Sequence, residues 1–242
     1  MKRAIIDCRM SEKCRKSLQN QGFELINISK NPHYDEPVSA HPDVFIFVYE
    51  NGIIAEKSAY DALSKHLFDC SENTSLNIEC AYETTSDVRY PDDCALNFAK
   101  CGNALIGNYR AASQRLLETA EKMHYRKIDV KQGYAKCNIC VVDDNSIITE
   151  DNGIAKACSK EGIDVLLLKN HEVKLGGYGN GFIGGASGNY TDENKNKFLY
   201  FIGDLKTHTE WKKIYEFCSE RNVRAISLSD EPLYDCGSIF FI

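Results

Sequence analysis

The chain has 242 residues, 43% of them hydrophobic and 26% charged, with 29 Lys and Arg against 35 Asp and Glu for a formal net charge of -6. That size admits one large domain or two small ones, and the composition is that of a folded protein, not a disordered one. The acidic balance excludes a nucleic-acid binder that works by phosphate neutralisation, because there is no cationic excess to release counterions.

At the N-terminus, residues 3–6 predict a short strand, 12–19 a helix and 23–28 a second strand. The apolar run Ala4-Ile5-Ile6 stops at Asp7, too short for a signal peptide, so a cytoplasmic location is expected. Asp43 then leads a strand over 44–49, a hairpin turn at Asn51-Gly52 and a return over 53–55. A helix over 59–67 and a closing strand over 76–82 follow. The same order restarts at Asp93: strand 94–99, turn at Cys101-Gly102-Asn103, strand 104–106, helix 111–124, strand 127–130.

The clearest copy starts at Lys136. Residues 138–142 are rich in strand formers, Asp143-Asp144-Asn145-Ser146 is turn chemistry, and 147–149 return. Asp151 or Asn152 caps a helix over 153–160 that Gly162 stops, and 163–168 form a buried strand. That last run is the longest apolar stretch singled out, and it ends at Lys169, far short of a membrane span. A fourth copy starts at Gly181, with a strand over 182–186, a polar insertion over 189–197, a strand over 198–202, a helix over 210–221 and a strand over 223–228. On that helix Trp211, Ile214, Tyr215 and Cys218 are spaced three and four apart, which predicts one packed face. Asp235 leads a last strand over 236–241, and the chain ends at Ile242.

Starts at 43, 93, 136, 181 and 235 mark a strand–strand–helix–strand unit repeated at nearly even spacing. The fifth copy has only its first strand at the C-terminus; the strand, helix and strand it lacks stand at the N-terminus. Pairing the two chain ends would satisfy both strands and remove the sheet edges. The expected fold is therefore an α/β propeller of five ββαβ units in one domain over residues 1–242, with helices outside and the last unit closed by its N- and C-terminal strands.

Eleven cysteines are many, and with no export signal they read as reduced, small apolar side chains. Cys137-Asn-Ile-Cys140 has metal-ligand spacing but falls in a predicted strand, where residues three apart face opposite sides. Residues 176–188 hold seven glycines in thirteen. They read as a close approach of the fourth strand to the axis or a tight connection with positive φ, with an anion cradle of backbone N–H groups as the alternative and a place in a ligand pocket left open. No Walker-A, zinc-protease or nucleophile-elbow motif is present.

Five ββαβ units with a split last unit resemble the pentein fold of guanidino-group-modifying enzymes, the amidinotransferases, arginine and agmatine deiminases and dimethylargininases. The ribosome anti-association initiation factor six shares that fold without the chemistry. Leu233-Tyr234-Asp235-Cys236-Gly237-Ser238-Ile239 is the best local match. The resemblance implies Cys236 as nucleophile on a guanidinium carbon, Asp93 or Asp92 as an acidic partner, Asp235 as an assisting carboxylate and Asp43 as part of the cation grip. Gly184 and Gly185 would line the substrate channel. No metal or organic cofactor is implied. The family's fourth-unit histidine has no counterpart in Gly181-Phe182-Ile183-Gly184-Gly185. His208 is expected at an exposed helix start, and His41 would reach the channel only by a different geometry. The expected function is a divergent guanidino-modifying enzyme acting through Cys236. The alternative is a non-catalytic pentein that binds a protein partner. Neither nucleic acid nor membrane is an expected partner.

Overall fold

The computed structural model describes residues 2–68 and 76–242. In chain order β1 (Lys2–Asp7), α1 (Glu12–Asn20) and β2 (Phe23–Ile28) are followed by a helical turn α2 (Pro42–Phe45), β3 (Ile46–Tyr49), β4 (Gly52–Glu56), α3 (Lys57–Phe68) and β5 (Asn77–Tyr82). Then come β6 (Ala99–Cys101), β7 (Ala104–Gly107), α4 (Gln114–Lys122), β8 (Arg126–Asp129), α5 (Ala135–Asn138), β9 (Cys140–Asp143), β10 (Ser146–Thr149), α6 (Asn152–Lys160) and β11 (Asp164–Leu167). The chain closes with β12 (Ser187–Thr191), β13 (Lys197–Phe201), α7 (Trp211–Ser219), β14 (Val223–Ser227) and β15 (Phe240–Phe241).

Among the described residues these strands form five three-stranded sheets, β15-β1-β2, β3-β4-β5, β6-β7-β8, β9-β10-β11 and β12-β13-β14. In every sheet the first pair is antiparallel and the second, joined through a helix, is parallel. The split unit closes as expected: Ala4 pairs with Phe241 and Ile5 with Phe240. The arrangement is propeller-like, five separate small sheets rather than a closed barrel.

The middle strands β4, β7 and β10 are buried at every position, and β1 at all but its first. Burial on both faces explains why Gly52-Ile53-Ile54-Ala55 and Ser146-Ile147-Ile148-Thr149 read as continuous rather than alternating apolar runs. Each closing strand is half exposed. The helices bind one unit to the next: α3 packs on β4 and β5 but also on β2, α4 on β5, and α6 on β8. Helix starts are fixed by side-chain caps, Ser113 accepting from Leu116 N and Asp151 from Ile154 N. On α7, Ile214 and Cys218 are buried and Trp211 packs beside them, but Tyr215 points to solvent at 54% exposure, so the apolar face is narrower than its spacing suggested.

One correction recurs. The leading half of each predicted first strand is not extended. Residues 42–45 and 135–138 are helical turns, Asp92–Cys94 is a 3-10 turn, 182–186 is largely turn, and of 236–241 only Phe240–Phe241 is strand. The polar insertion over 189–197 is instead the hairpin of β12 and β13. The physical reason lies in the backbone groups. At four of these places a backbone group bonds sideways to a neighbouring unit instead of to a ladder, and beside the Asp92–Cys94 turn the Asn97 side chain does so. Asp43 N donates to Gly237 O at 3.0 Å, Ser238 N to Gly185 O at 2.7 Å and Gly185 N to Cys137 O at 2.8 Å. Asn97 completes the circuit, its Oδ1 accepting from Lys136 N at 2.7 Å and its Nδ2 donating to Asp43 O at 2.8 Å. The five units are thus joined in a closed ring of hydrogen bonds around the axis.

Candidate active site at the ring

The ring turns bring the polar side chains together. Asp43, wholly buried, accepts through Oδ2 from Ser238 Oγ at 2.7 Å, and Lys136 Nζ donates to the same hydroxyl at 2.8 Å. The other carboxylate oxygen of Asp43 faces Cys137 Sγ at 3.2 Å, and Asn97 Nδ2 lies 3.1 Å from that sulfur. Asp235 is held by two backbone donors, Phe182 N at 2.9 Å and Gly237 N at 3.0 Å. Burial pushes its carboxyl above the usual range, against the pull of nearby His41.

His41 is 1% exposed and stands between two buried carboxylates, Nδ1 3.7 Å from Asp235 and Nε2 3.9 Å from Asp7. Neither distance is a hydrogen bond, and Nδ1 makes none elsewhere among the described residues. Asp7 is gripped by the Arg9 guanidinium, whose remaining N–H groups reach Glu36 O at 2.6 Å and Pro37 O at 2.9 Å.

A cavity of about 370 Å³ opens on one side of His41 and Asp235. Asp35, Asp93, Asp235, His41, Cys137 and Asn180 supply its polar lining. Tyr90, Tyr134, Tyr178 and Phe182 supply aromatic walls, and among the described residues no Lys or Arg lines it. Tyr134 donates to Asp93, which holds that carboxylate in place and, after burial itself, pushes the phenol further up. Leu175, Tyr178, Gly179, Asn180 and Phe182, in and beside the glycine-rich segment, line the cavity, and Tyr178 donates to Asp35 Oδ2 at 3.2 Å. A second cleft of about 290 Å³ shares His41 and Asp235 and is lined by Asp7, Arg9, Tyr234 and Cys236.

The residues singled out in the sequence fall in different places. Asp93 and Asp235 line the cavity, and Asp43 lies directly behind Cys137. Asp92 is exposed and lines an outer groove, because the 3-10 turn rotates it away from its neighbour. Cys236 lines the second cleft, 4% exposed, and burial, then the Asp7 and Asp235 charges, push its thiol well up despite Arg9. Gly184 and Gly185 are tight packing points. A Cβ on Gly184 would lie 2.4 Å from Lys136 O, and one on Gly185 2.0 Å from Asp235 Oδ1.

His208 is fully buried, not exposed, its Nδ1 accepting from Glu210 N at 3.1 Å. Cys137 lies on the α5 turn and Cys140 starts β9, so the strand geometry expected for this pair does not apply. The ten cysteines among the described residues are all free, and Cys70 falls outside those residues. Sequence reasoning passed over Cys137, His41, Asn97, Lys136 and Ser238 as site residues. Lys136 carried a usable signal: a lysine and an alanine after Gly133 favour a helical turn over a strand.

Five ββαβ sheets, one of them closed by the two ends of the chain, around a hydrogen-bonded axial ring give the chain the pentein fold. Over residues 5–240 it matches the family of unknown function DUF6873, and it belongs to that family. Among solved structures, a dimethylarginine dimethylaminohydrolase adduct with 4-chloro-2-hydroxymethylpyridine is similar over 95% of this chain and 92% of that one, with 9% identity and a TM-score of 0.52. An agmatine deiminase from C. jejuni is similar over 94% of this chain and 87% of that one, at 10% identity and a TM-score of 0.45. An inosamine-phosphate amidinotransferase from Streptomyces griseus aligns at 8% identity and a TM-score of 0.38; the match covers 52% of this chain and only 40% of that one. No curated protein matches the chain. Among the described residues, no helix is long and apolar enough to cross a membrane.

Proposed function

We propose that this pentein binds a small guanidino or amidino cation in the axial cavity. The observation that carries the reading is the lining: three carboxylates, flat aromatic walls and, among the described residues, no cationic side chain. Carboxylates at Asp93 and Asp235 suit a planar, multiply donating cation, and tyrosine faces add cation–π attraction. The His41 ring lines the same cavity beside Asp235. The likeness to a dimethylargininase fold agrees with this ligand class.

Titration calorimetry with arginine, agmatine and methylarginines, against neutral citrulline, tests it. Binding of at least one cation and none of citrulline is expected. Asp93→Asn should weaken that binding about tenfold to a hundredfold, the worth of one charge-assisted contact. Cations that give no heat, or bind the variant equally well, would sink the proposal.

A second reading, ligand binding without turnover, is favoured by the thiols. Burial and neighbouring carboxylates keep Cys137 and Cys236 protonated in the free protein, and a thiol attacks only as thiolate. Absence of ureido product or amidine transfer with every cation that binds would select this reading. Product formation would select the enzyme.

A further inference from the structure

We infer that the axial cavity takes a methylated ammonium head group, a cation whose nitrogen is capped by methyl groups and donates no hydrogen bond. This rests on the cation-binding reading of the cavity and goes beyond it in the chemistry of the cation. Three observations support it.

The first is how far the lining carboxylates are already engaged. Asp235 accepts from Gly237 N at 3.0 Å through Oδ1 and from Phe182 N at 2.9 Å through Oδ2. Asp93 accepts from Cys94 Sγ at 3.3 Å through Oδ1 and from Tyr134 through Oδ2. Asp35 accepts from Tyr178 through Oδ2 at 3.2 Å. The protein's own donors thus occupy five of the six carboxylate oxygens of these residues. A ligand rich in N–H groups competes with those donors. A methylated ammonium does not, because Coulomb attraction to the carboxylates needs no donor.

The second is the set of rings. Tyr90, Tyr134, Tyr178 and Phe182 line the cavity together. The Tyr90 and Tyr134 rings have centroids 5.8 Å apart and planes inclined at 41°, so they form adjoining walls and not a flat stack. Aromatic faces attract cations, and several of them around one space suit a nitrogen whose charge is spread over its methyl groups. Tyr134 and Tyr178 each donate to a lining carboxylate, which polarises the phenol and makes its ring richer in electrons.

The third is exposure. Tyr90 is 56% and Tyr178 45% exposed, two of the five large apolar side chains exposed among the described residues, and both line this one cavity. Apolar surface left uncovered at an acidic pocket marks a ligand with an apolar shell around its charge. The volume of about 370 Å³ lies within the roughly 300–1,000 Å³ of small-ligand pockets. Among the described residues no Lys or Arg lines the cavity, so a ligand that also carries a carboxylate meets no counter-charge there.

Titration calorimetry on the full chain compares choline with 3,3-dimethyl-1-butanol, its neutral isostere with carbon in place of nitrogen, and with the zwitterion glycine betaine. Choline is expected to bind at least about tenfold more tightly than either. Tyr90→Leu, at a largely exposed position, should weaken choline about threefold or more. No heat with choline, equal binding of the alcohol or the betaine, or an unchanged Tyr90→Leu variant overturns the inference. A peptide bearing one trimethyllysine identifies the source of the head group: tighter binding than choline places it on a polypeptide, weaker binding on a free small molecule, and either upholds the head group. The guanidino cations, titrated in parallel, separate the two ideas. Guanidino binding without choline binding removes this inference alone, whereas choline binding without guanidino binding removes the guanidino reading alone.

Discussion

Glu150 follows β10 directly, is 4% exposed, and uses Oε2 to accept from Ile183 N at 3.2 Å while Oε1 has no partner. Burial, with smaller contributions from Asp235 and Glu210, raises its carboxyl from 4.5 to about 7. A raised acid favours the fold in its protonated form. The stabilisation is complete below about pH 4.5 and is lost as pH rises through 7, a change of about 3 kcal/mol. Glu150→Gln keeps the neutral shape. Its advantage over wild type in urea denaturation should therefore be absent at pH 4 and approach about 3 kcal/mol at pH 8; equal curves at both pH values would show that the carboxylate is solvated.

The five ring turns are where local sequence and final structure part. Residues 44–49 and 138–142 have strand composition, and their later halves are strands, but the earlier halves belong to helical turns that other units hold, Asp43 N donating to Gly237 O and Lys136 N to Asn97 Oδ1. Gly185 shows how tight that contact is. A methyl there would meet Asp235 Oδ1 at 2.0 Å and Cγ at 2.4 Å, and Asp235 cannot swing away without stranding Phe182 N and Gly237 N. Gly185→Ala is expected to cost about 3 kcal/mol or more, by overpacking plus a lost buried hydrogen bond. Gly162→Ala meets open space and only the penalty of its φ of +79°, about 1 kcal/mol. Thermal denaturation of the two variants should rank them in that order; the reverse would mean that the ring is loose.

Across the molecule, closure depends on a short strand. Beyond the pairing of Phe240 and Phe241 with β1, Arg3 N donates to Ile242 O at 3.1 Å and Ile242 N to Arg3 O at 3.0 Å. Removing residues 240–242 exposes the edge of β1 and takes away three half-buried apolar side chains, each worth about half of the 1.5–3 kcal/mol of full burial. Equilibrium unfolding should show a loss of about 3 kcal/mol or more. A truncated chain as stable as the whole would mean that the ring hydrogen bonds close the fold without this strand.

The order of strands and helices, the five unit starts and the split last unit were legible in the amino-acid sequence. They depend on local periodicity, caps and turns, which each short segment carries within itself. Asp93 and Asp235 were legible as candidates because they stand at unit starts. What the tertiary structure alone decided was which side chains meet at the axis. Asp43, Asn97, Cys137 and Ser238 come from different units, and their contacts span about 40 to 195 positions of chain. No local pattern records a contact at that range. It follows from closing five similar turns into one ring, where each turn's direction is set by hydrogen bonds to its neighbours.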